Sequence, residues 1–86
     1  MSTPDNYAEA TDQSVTSNLR LLQLKLALAE WRTADALGAA QTGKHNLAIG
    51  TVIDLEQLLP EIEALYKTVL LLHRSRSSFE QNEVQS

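Results

Sequence analysis

The chain has 86 residues, 43% of them hydrophobic but only 5% aromatic, and it contains no cysteine. That composition describes one small domain rich in Leu and Ala and excludes disulfides and thiolate metal sites, while His45 and His73 alone make a poor metal site. The formal net charge of -4 argues against nucleic acid and anionic membranes as partners, because both select a basic surface.

Residues 1–14 form an acidic N-terminal segment that reads as flexible or as a short helix. Thr3-Pro4-Asp5 suits a helix start, with Thr as cap, Pro in the first turn and an acid near the positive end of the dipole. The segment lacks the basic end and apolar run of a secretory signal, so the default compartment is the cytoplasm. The polar stretch from Thr11 to Asn18 offers several capping residues and reads as a break or a solvated helical turn.

Helix 1 is expected over about 15–41. Its middle, Leu22-Gln-Leu-Lys-Leu-Ala-Leu28, alternates like a strand, yet every member is a good helix former and none is β-branched or aromatic. Val15, Leu19, Leu22, Leu26, Ala29, Thr33, Ala36 and Ala40 follow spacings of four and three, which is a heptad seam. A second stripe, Leu21, Leu24, Leu28 and Trp31, lies nearly opposite.

A turn is expected at about 42–46, with Gly43 as a left-handed helix stop. Helix 2 follows over about 47–79, with its seam at Val52, Leu55, Leu59, Ile62, Tyr66, Val69 and His73, widened by Leu58, Leu65 and Leu72. Pro60 removes the bond to the Glu56 carbonyl and predicts a kink there. Residues 80–86 read as a disordered tail. The longest strongly apolar stretch, Val69 to Leu72, falls far short of the roughly 20 residues that span a bilayer.

These elements define an all-α fold, an antiparallel two-helix hairpin with the second helix kinked at Pro60. Pairing about Gly43 sets residues whose numbers sum to roughly 87 side by side, so Arg32 meets Asp54 and Glu56, and Lys25 meets Glu61 and Glu63. Ordering about 60 residues costs roughly 1.5 kcal/mol each, whereas burying a Leu returns roughly 1.5 to 3 kcal/mol. A bare hairpin therefore comes out near zero, and dimerisation into a four-helix bundle is the expected staple.

Gly38-Ala-Ala-Gln-Thr-Gly43-Lys44 fits seven positions of the phosphate-loop pattern, but His45 stands where Ser or Thr must hold magnesium, and no strand precedes it. The reading is no nucleotide and no cofactor. Ala39, Gly43 and Ile49 loosely match helix-turn-helix spacing, yet residues 46–57 contain two acids and no Lys or Arg to contact phosphate. Ser75, Ser77 and Ser78 lie near His73 without an orienting acid, so no catalytic residue is assigned and the chain is read as not an enzyme.

What remains is binding to another protein. Leu21, Leu24, Leu28 and Trp31 are the candidate protein interface, because a hairpin can cover only one side of helix 1 and aromatic anchors dominate interface energetics. Segments such as Leu26-Ala-Leu-Ala-Glu-Trp-Arg32 and Leu58-Leu-Pro-Glu-Ile-Glu63 look like those of small helical-hairpin proteins. In size and format, from about Leu19 to Arg76, the pattern is similar to co-chaperones of type III secretion needle subunits and to antiactivators of quorum-sensing regulators. That resemblance implies a small non-catalytic inhibitor, adaptor or chaperone and carries over no functional residue. The alternative is a structural subunit of a larger assembly such as a phage or secretion particle.

Overall fold

The computed structural model describes the backbone of residues 4–85 and the side chains of residues 9–75. The chain is helical, with no strand among the described residues: α1 spans Pro4–Gln41, α2 His45–Val52 and α3 Leu55–Gln85. Two long helical segments result, the second bent where α2 gives way to α3. No helix of the described residues is long and apolar enough to cross a membrane.

Helix α1 starts earlier than the firm sequence boundary, since Pro4 already lies in its first turn. Proline is tolerated there because the first amides of a helix have no intrahelical acceptor. The polar run from Thr11 to Asn18 continues the helix without a break, and Thr11 is buried. At the other end α3 reaches Gln85, where a disordered tail over 80–86 was expected; no Gly or Pro interrupts Glu80 to Gln85.

The turn after α1 has a definite geometry. Gly43 adopts φ 81, the left-handed region. The Lys44 amide donates to the Ala39 carbonyl at 2.8 Å and the Gly43 amide to the Ala40 carbonyl at 3.0 Å. These are the paired bonds of a Schellman motif, which satisfy carbonyls left open at a helix C-terminus. The Thr42 hydroxyl adds a bond to the Ala39 carbonyl at 3.0 Å.

The interruption in the second segment falls at Ile53 and Asp54, six residues before Pro60, which lies inside α3. There the ladder tightens: the Ile53 amide still reaches back four residues to Ile49, but the Glu56 amide reaches back only three, to Ile53. A break thus lies six residues upstream of the expected Pro60 kink, and Pro60 itself stands in the second turn of α3.

Two ion pairs set the register of the two segments: Lys25 Nζ to Glu61 Oε1 of α3 at 2.5 Å, and Arg32 to Oδ2 of Asp54, in the break just before α3, at 3.2 Å. Both pairs sum to 86, close to the sequence estimate. A step of seven residues forward in α1 matches a step of seven backward in the second segment.

The seam itself differs from the expected one. On α1 the residues turned toward α3 are Thr11, Val15, Asn18, Leu22, Lys25 and Ala29, with buried Ala36 further on at the level of α2, while Leu19 and Leu26 are exposed. On α3 they are Leu55, Leu58, Ile62, Leu65, Val69 and Leu72, while Leu59, Tyr66 and His73 are exposed. Each helix has rotated so that ion-pairing residues reach one another, and that rotation turns one apolar residue per heptad out of the contact. Only Thr11, Ala36 and Ala48 are buried among the described side chains.

Shape follows from this. The molecule measures 65 × 17 × 16 Å with a radius of gyration of 19.3 Å, against roughly 12 Å for a compact chain of this length. Its accessible surface is 6622 Å², against roughly 5,000 Å² for a compact protein of its mass.

Candidate interaction surface

At 100° per residue, Leu21, Leu24, Leu28 and Trp31 occupy one ridge of α1, turned 100° or more from Leu22 at the centre of the contact with α3. All four are exposed, Trp31 at 73% and Leu24 at 57%. Leu24, Leu28 and Trp31, together with Ala27 and Ala34, line a shallow apolar groove of about 460 Å³. The small alanines make the groove: a larger residue at either position would fill the space beside the indole.

Next to this ridge lies a polar cleft of about 590 Å³ between α1 and the start of α3. Lys25 and Arg32 form one wall, Asp54, Glu56 and Glu61 the other. Both bases are engaged across the cleft, Lys25 by Glu61 and Arg32 by Asp54, while Glu56, expected beside Arg32, forms no ion pair with it. Glu63, expected near Lys25, lies instead on the outer side of α3 and pairs with Lys67 one turn on, at 2.8 Å. The hydrogen bond and charge of that ammonium hold the Glu63 carboxyl below its ordinary range, and the carboxylate in turn raises Lys67.

The remaining sequence candidates do not converge. Gly38 to Gln41 are the last turn of α1, so the phosphate-loop pattern is a helix end rather than a loop following a strand. α2 begins at His45, carries no Lys or Arg, and exposes Leu47 and Ile49. His73 and Ser75 are exposed on α3, and Ser77 and Ser78 lie outside the described side chains. Among the described residues no three His, Cys, Asp or Glu groups are placed to hold a metal ion.

Leu19, Leu26, Leu59 and Tyr66 are exposed residues that sequence reasoning assigned to the internal seam. The signal for their true position was present in the polar residues at 11, 18, 25 and 32, which recur every seven positions on α1. Comparison with known proteins found no matching family model, no similar curated protein and no similar solved structure.

Proposed function

We propose that the two long helical segments form an antiparallel hairpin that self-associates as a four-helix dimer and works as a non-catalytic protein-binding module. It acts as an inhibitor, adaptor or chaperone, with Leu21, Leu24, Leu28 and Trp31 as the surface that captures the partner. The observation that carries this reading is the exposure of that ridge, a large aromatic and three leucines in line on one helix. Contiguous apolar patches of this kind are uncommon on soluble monomers and mark interaction sites. In the adjoining cleft Lys25 and Arg32 are already engaged by Glu61 and Asp54, which leaves the apolar ridge as the surface open to a partner.

The test is capture from the native host with the tagged chain and with Leu24→Glu combined with Leu28→Glu. The expected result is one or more proteins retained by the parent chain and lost by the variant, with helix content unchanged by circular dichroism. Equal capture by both would remove this ridge from the binding surface. A parent chain that assembles into an open polymer and captures nothing would instead support a structural subunit.

A further inference from the structure

The layer made by α1 and α3 has two broad faces, and they differ in chemistry. On one, Thr11, Asn18, Lys25 and Arg32 recur every seven residues, level with Ser75, Thr68 and Glu61 on α3 and with Asp54 in the break before it, each level summing to 86. Two of these levels are the ion pairs already described. On the other face the levels are Leu19 with Tyr66 and Leu26 with Leu59, both summing to 85. These four large side chains are exposed. Helical geometry separates the faces: Leu19 and Leu26 stand about 100° around α1 from Asn18 and Lys25, and Leu59 and Tyr66 about 160° around α3 from Glu61 and Thr68.

We infer that a second copy of this chain packs on the Leu19, Leu26, Leu59 and Tyr66 face, leaving the Trp31 ridge and the ion pairs on the outside of the dimer. The inference rests on the proposal that the chain self-associates, and adds which face does it. Area is the first argument. Two separate copies would expose about 13,200 Å², twice the surface of one, whereas a compact protein of twice the mass exposes roughly 8,400 Å². The gap, about 4,800 Å², is the most that association into a compact body would remove, so the roughly 2,000–5,000 Å² that obligate homodimers bury is within reach.

Chemistry selects the face. Packing a copy over the other side would desolvate Lys25, Arg32, Asp54 and Glu61, and the cost of drying such charges can exceed what their attraction returns. The Leu26 and Leu59 face draws from both helices at the same level, so two layers meet as four helices around a shared apolar centre. A ridge on a single helix, such as Leu24 with Trp31, offers no such layer-on-layer contact. Thr33, on the same side of α1 as Leu26, has its hydroxyl already bonded to the Ala29 carbonyl, so it enters an apolar interface with that donor satisfied.

Sedimentation equilibrium decides it. The parent chain is expected at twice its 9.5 kDa mass, and the Leu24→Glu, Leu28→Glu variant at that same dimeric mass. Leu26→Glu combined with Leu59→Glu is expected to raise the dimer dissociation constant about 100-fold or more, since it exchanges two buried leucines per copy for charges. Because that variant can also lose its fold, single cysteines provide a second reading in a chain that has none of its own. A short bismaleimide should join Leu26→Cys copies efficiently and Leu24→Cys copies poorly. Dimers that survive Leu26→Glu with Leu59→Glu, or cross-linking that favours Leu24→Cys, would overturn the face assignment alone. A parent chain that is monomeric at every concentration would overturn this inference and the proposed self-association together, while leaving partner capture at Trp31 to its own experiment.

Discussion

Lys25 reaches across from α1 to Glu61 of α3 with its ammonium 2.5 Å from the carboxylate, and it does so from a position that a heptad reading would reserve for an apolar side chain. The Lys25 side chain is only 26% exposed. Its stem covers the seam while its charged end reaches the rim, the usual behaviour of a long amphipathic side chain. Partly exposed pairs contribute about 0 to 1 kcal/mol, so this contact sets register more than it holds the fold.

Reversing one charge tests that role. Lys25→Glu should cost about 1 kcal/mol in urea unfolding, because a carboxylate then faces Glu61, and adding Glu61→Lys should recover most of the loss. The coupling should shrink at high salt. A double reversal no more stable than the single one would show that the pair does not define the register.

Two glycines should respond in opposite directions. Gly43 has φ 81 and open space around a Cβ, so Gly43→Ala carries a purely conformational cost of about 1 kcal/mol. Gly38 lies in α1 with equally open space. Gly38→Ala should therefore stabilise by about 1 kcal/mol through helix propensity. Thermal unfolding of the two variants beside the parent chain checks both signs, and a neutral Gly43→Ala would contradict the left-handed turn.

Trp31 is the only tryptophan, which makes its fluorescence a direct reporter. Emission should be that of a water-exposed indole, readily quenched by iodide, and unchanged as the protein is diluted through dimer dissociation. Capture of a partner on the ridge should shift it to the blue. A blue shift that appears merely on concentrating the chain would place the indole in the self-association interface instead.

Carboxyl titration by NMR should place Glu63 below the ordinary glutamate range, owing first to its hydrogen bond with Lys67 and then to that residue's charge. A lowered folded-state value means that the contribution of Glu63 is present above its unfolded pKa and fades as pH falls through the folded one. The raised value of Lys67 gives a contribution present below its unfolded pKa and lost as pH rises through the folded one. Lys67→Ala should return Glu63 to its usual range.

Much of the architecture was legible in residue types. Gly43 announced its left-handed stop, the good helix formers of Leu22 to Leu28 overrode a strand-like alternation, and of the four acids in residues 54–63 Asp54 and Glu61 met Arg32 and Lys25, while Glu56 and Glu63 did not. The contact face of α1 was harder, because leucines occur around most of that helix and the apolar pattern alone fits two rotations. Polar spacing resolves the choice: Lys25 and Arg32 pair across the contact with Glu61 and Asp54, whereas Leu19 and Leu26 are left exposed. The break at Ile53 and Asp54 had a weaker marker, the poor helix formers Gly50 to Ile53 followed by Asp54, a favoured cap directly before α3, but Pro60 drew the expectation downstream. The Leu21, Leu24, Leu28 and Trp31 ridge was readable from spacing, whereas the second apolar face emerged only once the rotation was known.

Thr11, Ala36 and Ala48 are the sole described side chains withdrawn from water, and none is large. A protein built this way holds little stability of its own, so association through the Leu26 and Leu59 face would make its melting temperature depend on dose by mass action. Scarce copies would remain open to proteolysis while abundant ones protect each other, and cellular abundance itself would then act as the switch between a short-lived chain and a durable one.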